Sequence, residues 1–153
     1  MIRTDKRLRL CMVWLIANLC FIWGNSLLPG EISGAFSDWV KSILEALLPG
    51  DSVSPSGGGL LRKVAHFTEF TSLGMCLLWL VSMLRKPVQL AFLGGALAAC
   101  VDETIQIFVP DRGPSLKDVG IDVCGVLTGM MLLQIGYRLW KRKQTTNYGG
   151  NNQ

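Results

Sequence analysis

Charge is scarce in this sequence: 17% of its 153 residues are Asp, Glu, Lys or Arg, against about 25% in an average soluble domain. Half the residues are apolar before the 17 glycines are counted, which excludes a soluble globular enzyme. The chain also lacks any C-x-x-C, and its five cysteines, Cys11, Cys20, Cys76, Cys100 and Cys124, all fall inside apolar runs. Neither a disulfide framework nor a cysteine zinc site follows from such an arrangement. Missing too are H-E-x-x-H, G-x-S-x-G and a glycine loop that cradles phosphate, so the familiar zinc-peptidase, esterase and nucleotide-binding signatures are absent. The length allows one domain.

What is present is a set of long apolar runs separated by charge. A bilayer's hydrocarbon core takes about 20 mainly apolar residues per helical span, and four such spans can be drawn, at about 8–28, 64–84, 88–109 and 119–140. The expected fold is an all-α membrane protein with one domain over residues 1–143 and a disordered tail at 144–153. Arg3, Lys6, Arg7, Arg9, Arg85, Lys86, Arg138, Lys141, Arg142 and Lys143 fall on one side; Lys41, Arg62, Lys63, Arg112 and Lys117 fall on the other. Basic residues flanking spans are retained in the cytoplasm, so both termini are expected there. The net charge of +4 is thereby read as topogenic, with no nucleic-acid partner. No A-x-A-like site follows the first run, which is read as a retained span and not as a cleaved signal.

Between spans 1 and 2, Phe36, Trp39, Val40, Ile43, Leu44 and Leu47 recur at helical spacing opposite Ser37, Asp38, Lys41, Ser42 and Glu45. This pattern predicts a short amphipathic external helix, bounded by Pro29 and Pro49, at the outer membrane interface. Beyond it, Gly50–Gly59 has the composition of a flexible linker.

Against this apolar background stand His66 and Glu69 in the second span, Asp102 and Glu103 in the third, and Asp122 in the fourth. Intramembrane ionisable groups are costly and are functional candidates by default. With a rise of about 1.5 Å per residue, all five lie within roughly 11 Å of the external ends of their helices. Residues three or four apart share a helix face, which groups Arg62, His66, Glu69 and Leu73; Gly95, Ala99, Asp102 and Gln106; and Asp118, Asp122, Gly125 and Gly129. The last stripe contains a G-x-x-x-G that permits close helix approach. A tightly packed bundle with a polar, outward-opening pocket is expected, overhung by Arg112 and Lys117. So many carboxylates at one level call for a bound proton or cation. The bland alternative is a network that neutralises itself with Arg62 or Lys63 and holds the helices in register.

The segments KVAHFTEFTSLG (Lys63 to Gly74) and DETIQIFVPDRGPSLKDVGIDVCGVLTG (Asp102 to Gly129), with NSLLPGEISGAFSDWV (Asn25 to Val40) before them, resemble the paired signature of the VanZ-like membrane proteins. The resemblance covers almost everything from Trp14 to Trp140. By position it implies a site of Lys63, His66, Glu69, Asp102, Glu103, Gln106, Arg112, Asp118 and Asp122, with Gly125 beside it. Phe70 stands where Tyr is common in the family. The resemblance also implies a bacterial plasma membrane and a contribution to resistance against the lipoglycopeptide teicoplanin; it implies no particular reaction.

Two functions are therefore carried forward. One is binding of an amphiphile at the outer leaflet, either a lipoglycopeptide or an envelope lipid precursor. The other is an enzyme acting on a lipid or polyprenyl phosphate, with His66, Glu69, Asp102 and Asp122 as catalytic candidates. In that case a divalent cation on Asp102, Glu103 or Asp122 would polarise a phosphoryl or carbonyl oxygen. An ion-coupled carrier would need more helices than four, and hence a homo-oligomer.

Overall fold

The computed structural model describes residues 2–32, 35, 39, 42–43 and 57–149, and it is all-helical among them. Four long helices follow in order: α1 (Ile2–Ser26), α2 (Gly57–Met83), α3 (Gln89–Gln106) and α4 (Leu116–Gly149). Residues 30–32, 35, 39 and 42–43, from the segment expected to form the external amphipathic helix, are helical. Phe36, Val40, Leu44 and Leu47 lie outside the described residues.

Two short connections fix the alternation of α2, α3 and α4. At the end of α2 the N–H of Lys86 donates to the Val81 carbonyl at 2.8 Å and that of Arg85 to the Ser82 carbonyl at 3.3 Å. Arg85 sits in the left-handed region, φ 52°, so the pair forms a Schellman stop with arginine where glycine is usual. Pro87 then supplies a fixed φ just ahead of α3. After α3 the chain turns through Pro110 and Asp111, the latter at φ 58°. Ser115 opens α4 by accepting the N–H of Asp118 on its Oγ at 3.3 Å, a side-chain cap on an otherwise orphaned donor.

Among the described residues three stretches are long and apolar enough to cross a membrane: Lys6–Ser26, Leu60–Met83 and Leu116–Gln144. The third expected span, 88–109, is shorter than drawn. It ends at Gln106 after 18 residues, short of Val109, because the residue before Pro110 is disfavoured in the α region and the chain leaves the helix ahead of it. Two further boundaries moved the other way. Gly57–Gly59, assigned to the linker by composition, form the first turn of α2, and α4 continues through Gly149 into the segment expected to be disordered. Extending a helix already nucleated adds one hydrogen bond per residue fixed, so weak formers such as Gln144-Thr145-Thr146 can follow it. Residues 150–153 lie outside the described residues.

The packing centres on α2 and α4. A Cβ at Gly129 would collide with the Thr71 carbonyl, one at Gly74 with the Val126 carbonyl, and one at Gly125 would stand 2.6 Å from the Phe67 carbonyl. The two backbones are in direct contact, the approach that small residues permit where lipid gives no hydrophobic drive to associate. Val126 is the wedge on the other side, since a Cβ on Gly95 of α3 would meet its Cγ1 at 2.6 Å. Phe70, Leu73, Ala98, Ala99, Ile22 and Met130 are among the residues that share the buried core with it. α1 is held more lightly. Cys11 Sγ donates to the Cys76 carbonyl at 3.7 Å and Cys76 Sγ to the Cys11 carbonyl at 3.5 Å, and Trp14 meets Trp79 edge-on at 6.0 Å. Outward-facing Leu10, Val13, Ile16 and Phe21 of α1, and Leu90, Leu93 and Leu97 of α3, are exposed, as residues facing lipid should be.

Candidate functional site

The C-terminal ends of α1 and α3 and the N-terminal ends of α2 and α4 come together, and each delivers a polar side chain to one point. Asp102, in the last turn and a half of α3, and Asp122, in the second turn of α4, have fully buried side chains; that of His66, from α2, is 6% exposed. His66 Nδ1 lies 3.7 Å from Asp102 Oδ2 and 3.6 Å from Asp122 Oδ1, just beyond hydrogen-bond range. Asp102 is held from two directions: Ser26, the last residue of α1, donates its Oγ–H to Oδ1 at 2.6 Å, and Gln106 donates Nε2–H to Oδ2 at 3.0 Å. Beside this group Asn25 Nδ2 donates to Glu69 Oε1 at 3.0 Å.

The hydrogen-bond account does not close. Among the described residues neither oxygen of Asp122 has a hydrogen-bond partner, nor do His66 Nδ1, Glu69 Oε2 and Glu103 Oε1. All three guanidinium nitrogens of Arg112, in the α3–α4 loop, are likewise shielded and without a hydrogen bond. Burial pushes the Arg112 guanidinium below its ordinary value and Arg62 adds to this, while Asp102, Glu69 and Glu103 oppose it. Its position is fixed by the loop. Gly30, just past α1, donates its N–H to the Pro110 carbonyl at 3.3 Å, and any Cβ there would press on the Asp111 backbone. Below the cluster an apolar cleft of about 230 Å³ opens between α1, α2 and α3, lined by Leu15, Leu19, Trp23, Leu73, Leu77 and Leu97 among others.

The family description VanZ/LLP1 matches residues 11–137, a stretch that contains every residue of this cluster. The chain belongs to the VanZ/LLP1 family. No curated protein and no solved structure matches it. Membership of VanZ/LLP1, with three helices apolar and long enough to cross, makes this a multi-pass membrane protein of the VanZ type.

Within this VanZ-type bundle the residues singled out by sequence take different places. His66, Asp102, Asp122 and Gln106 meet at the centre, with Glu69 and Arg112 at its margin. Glu103, adjacent to Asp102 in sequence, turns about 100° around the helix and accepts the backbone N–H of Ser115 at 2.6 Å, so it braces the loop. Asp118 is drawn off by Arg62 at 3.7 Å, a partly exposed pair worth less than about 1 kcal/mol. Lys63 is exposed and stands outside the cluster. Glu69 does not orient His66, as its placement three residues along suggests; its Oε1 is bonded to Asn25, and His66 Nδ1 faces the two aspartates. Asn25 and Ser26 are the contributors that sequence reasoning missed. Their signals were polarity at the end of an apolar run, which reads equally well as a helix terminus, and a place at the head of the NSLLPG segment, which names no partner.

Chemically, the centre offers one imidazole nitrogen and two carboxylates whose donor atoms all lie within 4.8 Å of one another. Such a set can share a proton, receive a cationic group or ligate one metal ion.

Proposed function

We propose that this protein binds an amphiphile with an anionic head group at the outer leaflet of the plasma membrane. The observation that carries the reading is Arg112, three buried guanidinium nitrogens with no hydrogen bond among the described residues. A guanidinium fits phosphate and carboxylate bidentately, and an unpaired buried one is costly until an anion meets it. The cleft lined by Leu15, Leu19 and Trp23 supports the same reading by offering an apolar path for a lipid chain. An envelope lipid precursor, such as a polyprenyl phosphate, has both parts. In this reading four helices cross the membrane, both termini are cytoplasmic, and α3 spans because its polar end lies against the other three helices. Teicoplanin, anchored by an acyl chain and bearing a carboxylate, is a second occupant, and sequestering it would lower its concentration at the wall.

The test is binding of polyprenyl phosphate to the full chain in nanodiscs. Arg112→Gln is expected to weaken binding at least about tenfold, roughly 1.4 kcal/mol; Lys117, expected from sequence to overhang the pocket as well, is exposed, and Lys117→Gln should leave binding unchanged. Equal binding by Arg112→Gln and the parent, together with unaltered teicoplanin susceptibility of expressing cells, overturns the reading. One observation favours a second reading, hydrolysis of the bound head group: His66 Nδ1 faces two carboxylates, groups suited to general-base work. Labelled polyprenyl phosphate would then yield free phosphate, and no product across a panel of envelope lipids rejects it.

A further inference from the structure

We propose that His66, Asp102 and Asp122 are the protein ligands of a divalent transition-metal ion of the zinc class. Three observations meet. The first is spacing. Two ligand atoms each about 2.1 Å from one ion at a tetrahedral angle stand about 3.4 Å apart, and His66 Nδ1 stands 3.6 and 3.7 Å from the two carboxylate oxygens. That is too far for hydrogen bonds and close to what a shared ion requires.

The second is the absence of any other partner for groups that burial makes expensive. Both Asp122 oxygens and His66 Nδ1 are without hydrogen bonds among the described residues, on side chains 0% and 6% exposed. A proton on His66 does not resolve this. Nδ1 would carry one hydrogen, aimed at most at one of the two carboxylates, and would set one positive charge against two negative ones. A dication at the centre neutralises both aspartates at once.

The third is the support behind the ligands. Asp102 is fixed by Ser26 at 2.6 Å and Gln106 at 3.0 Å, the outer-sphere bracing that orients metal-ligating carboxylates. One imidazole with two carboxylates suits zinc better than calcium or magnesium, which take oxygen. Three protein ligands leave a tetrahedral ion one open position, available to a head-group oxygen. Glu103, considered as a ligand from sequence, is outside the set because the Ser115 N–H holds it.

The inference uses atoms other than those of Arg112, so it and the lipid reading fail separately. Arg112→Gln should leave metal content unchanged. The full chain, purified in detergent, stripped with chelator and dialysed against zinc, is expected to retain about one zinc per chain by mass spectrometric metal analysis. Asp122→Asn and His66→Ala should each lower retention at least about tenfold, while Glu103→Gln keeps it. A second measurement needs no variant: zinc should raise the unfolding temperature of the stripped parent protein, and the same concentration of magnesium should not. Zinc below a tenth of an equivalent with no thermal shift overturns the proposal. So does stoichiometric zinc retained by both Asp122→Asn and His66→Ala, which would place the ion elsewhere.

Discussion

Two opposite kinds of contact join α2 to α4, and they lie side by side, since the backbone seam reaches outward as far as Gly125 and Phe67, next to His66. Around Gly74 and Gly129 the helices touch backbone to backbone, with no room for a single Cβ. Around His66 and Asp122 the same two helices face each other across a gap that their side chains fail to bridge, imidazole and carboxylate stopping 3.6 Å apart. The lower contact explains the upper one. A seam made of backbone cannot creep closer, so the separation at the outer end is set by glycines and not by the polar residues that occupy it. Charged groups left to themselves would close on one another; here the scaffold holds them open, which is how a site is preorganised.

The strongest way to break the contrast is to fill the seam. Gly129→Leu should destabilise the bundle by about 3 kcal/mol, at the upper end for overpacking because the clash is with a carbonyl and not with a flexible side chain. Gly136→Leu, on the same helix with nothing near its Cβ position, should not destabilise, and loss of a helix-interior glycine gains at most about 1 kcal/mol. Thermal unfolding of detergent-solubilised variants distinguishes them; equal losses would mean that the seam is not the contact that fixes the gap.

Next in size is the satisfied side of the pocket. Ser26→Ala removes a buried hydrogen bond to a carboxylate and should cost about 2 kcal/mol in the same assay. Asp122 is the unsatisfied side. In chelator, Asp122→Asn should cost less than Ser26→Ala, about 1 kcal/mol or less, because the carboxylate it replaces has no hydrogen bond to lose and only His66 Nδ1, 3.6 Å away, beside it. A loss as large as that of Ser26→Ala would show that Asp122 has a partner after all. Smallest is Arg62→Gln, at the rim, where the ion pair with Asp118 is long and partly exposed and its removal should cost about 0.2 kcal/mol, the low end for such pairs.

Much of this was legible in the sequence. Stripes three and four residues apart put His66, Asp102, Gln106, Asp122, Gly125 and Gly129 on inward faces, and the structure brings those residues to the bundle interior. Helical periodicity is local, so it is written in the chain directly. The stripe that joined Asp102 to Gln106 also left out Glu103, though depth alone grouped the two. What could not be read were pairings between distant residues. Ser26 meets Asp102 across 76 residues and Asn25 meets Glu69 across 44, and no spacing rule links them. Boundaries failed for a different reason. Composition marks Gly57–Gly59 as linker and the stretch beyond Lys143 as tail, whereas a helix already under way can carry poor formers at either end. Hydropathy carries the third span on to Val109, whereas Pro110 turns the chain out of the helix after Gln106.

The crossed contact of Cys11 and Cys76 has a practical consequence. Each thiol is buried and directed at the carbonyl beside the other, whereas Cys20, Cys100 and Cys124 are exposed. To a lipid-soluble alkylating reagent the assembled bundle therefore offers three sulfurs of five. A fourth and fifth label would appear together, and only when α1 lifts from α2, so the protein carries its own stopwatch for the departure of its most loosely held helix.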